Sequence, residues 1–125
     1  MAENLTEESE SYEDDYVKLD KGLLRIKLYY FPYGDRTLKV NQLKIIKWAR
    51  QDESYAKNWG SSSFTWWACD MKRNFRSTDN IFYNVSVNNG ELFSKGFTVK
   101  DVITFLRAMK NYLVGCEIGR LDALA

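Results

Sequence analysis

The sequence predicts an α+β chain that is mostly β: a two-sheet antiparallel barrel or sandwich of about seven strands, capped by one C-terminal helix. Two observations carry this expectation. From position 23 to 98, apolar residues recur in short alternating runs broken by Gly, Asn, Asp and Ser, the period-2 signature of half-buried strands. At Thr98 the period changes. Val99, Val102, Ile103, Leu106, Met109 and Leu113 then follow at helical spacing. A chain of 125 residues fits one domain, and 15% aromatic residues suit a sheet packed on a second sheet or a helix.

Residues 16–20 read as the start of an edge strand. Residues 23–31 form the strongest strand, with Leu24, Ile26, Leu28 and Tyr30 on one face and Arg25, Lys27, Tyr29 and Phe31 on the other. Pro32 cannot donate to a ladder and ends it, and Tyr33-Gly34-Asp35 supplies turn chemistry. A returning strand over 36–40 turns Leu38 and Val40 inward, and another over 44–50 sets Ile46 and Trp48 on one side. Residues 51–63 are polar and irregular. Strands follow over 64–69, 81–87 and 91–97. Asn88-Asn89-Gly90 is the hairpin signal between the last two, and Gly96 marks a bulge. The helix is expected over 98–114, with Thr98 as N-cap, Asp101 completing a shortened capping box and Gly115 as C-terminal stop. Residues 117–125 read as a tail that frays or makes one more turn.

Charge is unevenly distributed. Residues 1–17 hold seven acidic side chains, Glu3 to Asp15, and no Lys or Arg, whereas all 18 basic residues lie beyond. The expected organisation is an acidic disordered arm over 1–15, a domain over 16–116 and the tail over 117–125. The arm either solubilises the chain or folds back on the basic body and screens it from anions. No apolar run suggests a signal peptide or a bilayer span, and Cys69 and Cys116 are two lone thiols without metal or disulfide spacing. A cytoplasmic location is expected. The triplets Asn4-Leu5-Thr6 and Asn84-Val85-Ser86 are then coincidental.

The chain contains no histidine, which removes Ser-His-Asp and Cys-His catalysis, imidazole metal ligation and the usual near-neutral acid or base. No phosphate-cradling or nucleophile-elbow motif occurs. Asp52 and Glu53 read as solvated loop acids. Asp20, Asp35, Asp70 and Asp79 sit where turns and strand ends favour Asp, and Cys69 reads as a buried strand thiol. No enzyme, cofactor or metal is expected.

Trp66-Trp67 is the most unusual pair. Strand neighbours point to opposite faces, so one indole should enter the core and the other should face out, where it can serve a partner, or lie under another element. Residues 70–80 read as a basic loop through Lys72, Arg73 and Arg76. Arg36 and Lys39 give a second basic loop near the first hairpin.

Read in order, residues 17–114 resemble a bacterial-type pleckstrin-homology-like domain. The segment Tyr29-Tyr30-Phe31-Pro32-Tyr33-Gly34 followed by Arg36-Thr37-Leu38-Lys39-Val40 is similar to the opening hairpin of such domains. The block Trp59-Gly60, Trp66-Trp67, Asp70 and Arg73 is similar to a pattern in small bacterial proteins of that type. The resemblance implies two near-orthogonal sheets with one open end plugged by the helix, and binding of a protein or peptide rather than catalysis. The spacing of Arg36 and Lys39 departs from the dense basic motif of phosphoinositide-binding members, and Asp35 places a negative charge in that loop. An oligonucleotide-binding barrel is the runner-up fold, but its helix lies between strands. The expected function is therefore a non-catalytic binding module for a protein or peptide. The alternative is peripheral binding of anionic lipid or nucleic acid through the basic loops, modulated by the acidic arm. The candidate contact residues are Arg36, Lys39, Trp66, Trp67, Lys72, Arg73 and Arg76.

Overall fold

A left-handed two-residue turn organises the first sheet. Lys21 and Gly22 both have positive φ, at 50° and 79°, the twist that a tight hairpin requires. Gly22 is also a close approach: a Cβ there would lie 2.8 Å from the Tyr112 ring. The turn joins β2 (Val17–Asp20) to β3 (Leu23–Ile26). With β1 (Tyr12–Glu13) and β4 (Arg36–Lys39) these form a four-stranded antiparallel meander in the order β1-β2-β3-β4. Val17, Leu19, Leu24, Ile26 and Leu38 are buried, while Arg25, Thr37 and Lys39 on the alternate positions are exposed. The computed structural model describes residues 11–76 and 81–121.

The second sheet has six strands: β5 (Ile45–Arg50), β6 (Gly60–Ser62), β7 (Thr65–Trp67), β8 (Tyr83–Asn88), β9 (Ser94–Val99) and β10 (Glu117–Arg120). Their order is β10-β5-β8-β9-β7-β6. The β10–β5 and β7–β9 pairs are parallel and the others antiparallel. Ile46 pairs with Val87, and Val85 with Phe97. These side chains form one apolar core with the inward face of the first sheet. The two sheets share no strand among the described residues and form no closed barrel.

Helix α1 (Val102–Met109), continued by a 3-10 turn at Lys110–Tyr112, lies across the opening between the sheets. Phe105 joins them: its ring meets Tyr12 of β1 at 5.6 Å and Phe97 of β9 at 5.7 Å. Val102, Ala108 and Met109 complete the buried face. The helix is shorter than its apolar pattern because β9 continues through Thr98 and Val99. The Thr98 hydroxyl donates to Asp70 at 2.7 Å, so Thr98 is not the N-cap. Asp101 is: its carboxylate accepts the Thr104 backbone N–H at 3.1 Å and the Thr104 hydroxyl at 2.6 Å. Ile103 faces solvent, and Gly115, at φ 61°, turns the chain after the 3-10 turn rather than stopping α1 directly.

Other expectations are corrected. The strand over 23–31 ends at Ile26, because Leu28 adopts φ 54° and reverses the alternation. Tyr29 is therefore buried while Leu28 and Tyr30 are exposed. The irregular 51–63 segment contains β6, and the strand over 64–69 shortens to β7. The last two core strands shift to Tyr83–Asn88 and Ser94–Val99. The tail contributes β10, held to β5 by Glu117 N–H to Lys44 O at 3.0 Å and Leu121 N–H to Trp48 O at 2.9 Å.

The acidic arm is structured from Tyr12 onward. Asp14 accepts the Tyr16 and Val17 amides at 2.7 and 3.0 Å, and its other oxygen accepts the Lys100 amide at 2.9 Å. Asp15 pairs with Lys100 at 2.7 Å and Glu13 with Lys27 at 3.1 Å. Residues 1–10 of the expected arm, with Asn4-Leu5-Thr6, lie outside the described residues, as does Asp79. Asn84 of the second triplet is fully buried in β8.

Truncating Phe105 removes the contact that joins both sheets to α1. Phe105→Ala is expected to lower stability by ~3–5 kcal/mol, whereas Arg107→Ala on the exposed face should stay within ~0.5 kcal/mol. Urea unfolding at equilibrium measures both, and equal midpoints would show that α1 does not close the core.

Candidate binding cleft

Alternation in β7 sends the two adjacent indoles to different places. Trp67 pairs with Gly96 of β9, and its ring covers that glycine so closely that a Cβ there would meet it at 2.3 Å. Gly96 thus serves a ring contact rather than a bulge. The Arg73 guanidinium stands 5.1 Å from the same ring. Trp66 lies on the opposite face, where it packs against the apolar core and donates its indole N–H to the Tyr29 carbonyl at 2.9 Å.

The loop expected to present basic residues instead closes over the outer face of β8 and β9. Asp70 is its centre. It accepts from Arg76 through two contacts of 2.8 Å and from the Thr98 hydroxyl at 2.7 Å. Arg73, only 1% exposed, donates to Thr98 Oγ1 at 3.3 Å, to the Ala68 carbonyl at 2.9 Å and to the Lys57 carbonyl. Arg76 also reaches Gln51 at 3.1 Å and the Tyr16 hydroxyl. Gln51 and Ser54 in turn engage Asn84 at 3.1 and 3.0 Å. Burial pushes the Asp70 carboxyl up, but the Arg76 and Thr98 hydrogen bonds and the nearby guanidinium charges outweigh it and hold the group below its ordinary value. Burial lowers Arg73 to about 10, so it is charged at neutral pH.

On the Trp66 side, two arms of chain build an aromatic cleft. Each begins at left-handed, non-glycine backbone: Leu28 before Tyr29-Tyr30-Phe31, and Ser63-Phe64 before Thr65-Trp66. Such conformations persist only where surrounding structure holds them. Here the Leu28 amide donates to Asp35 at 3.0 Å and its carbonyl accepts the Cys69 amide at 3.1 Å. The Phe64 carbonyl accepts the Ser94 amide at 2.9 Å. Phe64 itself is 65% exposed.

The result is a continuous series of ring contacts. Tyr30 meets Tyr29 at 5.0 Å, Tyr29 meets Trp66 at 6.4 Å, Trp66 meets Trp59 at 6.2 Å and Trp59 meets Phe31 at 5.5 Å. Three of these contacts are edge-on, at 61° to 87°, and the Tyr29–Trp66 contact is tilted at 52°. A cleft of about 370 Å³ opens over Tyr29, Tyr30 and Trp66, with Leu92 and Phe93 as its opposite bank. Its rim is an ion cluster. Glu91 accepts from Arg36 at 3.0 and 3.2 Å and from Lys95 at 2.5 Å. The hydrogen bonds from Lys95 and then Arg36 hold the Glu91 carboxyl below its usual range. Arg36 also donates to the Tyr30 hydroxyl at 3.2 Å. Burial raises the Tyr29 phenol to about 12, keeping it a neutral hydroxyl.

The seven candidate contact residues therefore do not form one surface. Arg36 and Trp66 meet in the cleft. Lys39 is exposed at the end of β4, and Lys72 stands at a separate notch of about 350 Å³ shared with Tyr16, Phe75 and Lys100. Trp67 and Arg73 are buried, and Arg76 is largely covered by its ion pair. Burial keeps Trp67 and Arg73 from meeting a partner, correcting that expectation for those two, whereas Arg76 also lines the Lys72 notch. The cleft residues missed in the sequence are Tyr29, Tyr30, Glu91, Leu92, Phe93 and Lys95. The clue available there was the cluster Glu91-Leu92-Phe93 beside a hairpin turn, two apolar residues with no buried face assigned.

The remaining acids and thiols have ordinary surroundings. Asp52 pairs with Arg50 at 2.7 Å and Glu53 with Arg120 at 3.2 Å. Cys69 and Cys116 are free, partly covered thiols, both raised by burial. No group of acidic or thiol side chains among the described residues could hold a metal ion. Comparison of the chain with protein-family models, with curated proteins and with solved structures finds no match.

Removing the Asp70 carboxylate leaves two guanidinium groups without their counter-ion, so Asp70→Ala is expected to destabilise by ~3–5 kcal/mol. The sign with pH follows from the depressed folded pKa. The contribution is complete above the ordinary carboxyl value near 3.8 and is lost as pH falls through the lower folded value. Urea midpoints from pH 7 to pH 2 should show a steep acid limb in the parent that Asp70→Asn flattens. An unchanged limb would remove Asp70 from its central place.

Proposed function

We propose that this chain is a non-catalytic binding module whose ligand is a protein or peptide segment, taken up in the aromatic cleft. The observation that carries the reading is the run of contacting rings Tyr30, Tyr29 and Trp66, which faces Phe93 across an open apolar cleft. Aromatic side chains give large contact area with few rotatable bonds, which is why they dominate interface energetics. Exposed apolar clusters of this kind commonly mark interaction sites. Strained backbone at the base of both arms adds support, since such strain concentrates where side chains must be presented in a fixed orientation.

The same proposal takes the architecture as pleckstrin-homology-like. A meander, a second sheet and a terminal helix across their opening follow that order of elements. It takes the location as cytoplasmic, in keeping with two unpaired thiols. No helix among the described residues is long and apolar enough to cross a membrane.

Binding of anionic lipid or nucleic acid is the competing reading, and the notch beside Lys72 and Lys100 is its best support. Much of its charge, Lys72 apart, is already engaged. Arg76 is paired with Asp70 and Lys100 with Asp15, and Arg73 is enclosed.

An arrayed peptide library probed with the purified chain separates the readings. Selected peptides should lose roughly tenfold or more in affinity with Tyr30→Ala or Phe93→Ala, since each removes an exposed aromatic anchor. They should keep it with Lys72→Ala and in raised salt. Retention on heparin or anionic vesicles that falls steeply with salt and with Lys72→Ala, without any peptide selected, would replace the cleft by the notch.

A further inference from the structure

We infer that the open edge of β10 pairs with a second copy of itself, so that two chains join their six-stranded sheets across a two-fold axis at Ile118. β10 ends the sheet order and has β5 on one side only. All four of its residues are exposed. An unpaired strand edge is a template for another strand. The inference is independent of the cleft, because β5, β8 and β9 separate β10 from the strand that bears Trp66.

Three observations select a second copy as the occupant. The first is which backbone groups face outward. Glu117 and Leu121 donate their amides to β5, to the Lys44 and Trp48 carbonyls at 3.0 and 2.9 Å. Successive residues of a strand direct their amides and carbonyls to opposite sides, so Ile118 and Arg120 turn theirs to the open edge. With the axis at Ile118, that residue exchanges both of its hydrogen bonds with its own copy, and Arg120 faces Cys116 of the copy.

The second is charge. On the outer face of the sheet Glu117 stands beside Ile45, and Gly119 beside Lys47. Glu117 and Lys47 are exposed, and among the described residues neither side chain makes an ion pair. In the register centred on Ile118, Glu117 lies opposite Gly119 of the copy, with the copy's Lys47 next in the same row. A Cβ on Gly119 would meet nothing within 4 Å, so the carboxylate has a clear path over the glycine to that ammonium. The axis repeats the pair on the other side. Opposite charges brought together across strands stabilise a sheet. A register centred on Gly119 would instead put both Lys47 side chains in one row, with like charge.

The third is the apolar side. Ile118 aligns with the buried Ile46 yet is itself 49% exposed. The axis sets it against its own copy and covers both. Arg120 is already held within its own chain, 5.7 Å over the Trp48 ring and 3.2 Å from Glu53, so it brings no unpaired charge to the junction. The β4 edge of the first sheet differs: it ends in an exposed lysine, Lys39, and edge lysines oppose such pairing.

Sedimentation velocity of the full chain, from about 1 to about 300 µM, measures the dimer constant. A monomer–dimer equilibrium is expected within that range. Lys47→Glu and Glu117→Lys should each raise the dissociation constant roughly tenfold or more, because each sets like charges across both copies of the pair. Mixed in equal amounts, the two variants should recover the parental constant, since each then offers the other opposite charges at both positions. Ile118→Pro removes an amide that β5 does not use and should abolish the dimer, while Phe93→Ala in the cleft should leave the constant unchanged. A chain that stays monomeric throughout the range would overturn the inference. A dimer indifferent to both charge reversals, or variants that fail to recover on mixing, would do the same, because the copies would then meet through another surface.

Discussion

Asp70 sits between Arg76 and Thr98, with Arg73 stacked on Trp67 beside it, and the architecture on both sides of β9 depends on that arrangement. These groups lie on the outer face of the six-stranded sheet. They fasten residues 51–58 and 68–76 over β8 and β9, and so give the central strands a second covered face. A buried ion pair is weak as a net source of stability, but it is unforgiving of a missing partner. Its value here is positional. With Trp67 fixed over Gly96, strand alternation leaves Trp66 only the other face, where it becomes the floor of the cleft. The polar network on one side of the sheet thus sets the aromatic geometry on the other.

The sequence made part of this legible. Alternation located the cores of β2, β3, β4, β5, β8 and β9, and the terminal change of period located α1. These signals are local and depend on side chains facing one apolar core. The signals that failed were those altered by long-range contacts. Thr98 read as the helix N-cap and nothing local marked Asn84 for burial, yet both are buried because distant segments bring hydrogen-bond partners to them. Arg73 and Arg76 read as surface charge because nothing local revealed that Asp70 would be enclosed with them. Leu28 shows the smallest cause with the largest consequence: one left-handed residue moved Tyr29 from the expected outer face into the core.

The candidate site was half visible for the same reason. Arg36 and Trp66 were chosen for their chemistry, and the fold brings them to one cleft. Phe93 and Lys95 come from one segment that meets Trp66 through the parallel pairing of β7 with β9, a non-local pairing that no short motif encodes. Net charge gave less guidance than its arrangement. Most of the basic residues near the candidate surfaces are matched by an acid within ion-pair distance, as Arg36 is by Glu91 and Lys100 by Asp15. That leaves ring geometry as the distinguishing feature of the surface.

The dependence of the cleft on the Asp70 network is tested most directly by hydrogen exchange at the Trp66 indole and the Cys69 amide, in the parent and in Asp70→Asn. In the parent both should be protected, the indole by the Tyr29 carbonyl and the amide by the Leu28 carbonyl, while the Trp59 indole exchanges freely. In Asp70→Asn the two protected sites should lose protection together, and the amides of Leu19 and Leu24 in the first sheet should keep theirs. Unchanged protection of the Trp66 indole in that variant would contradict the account.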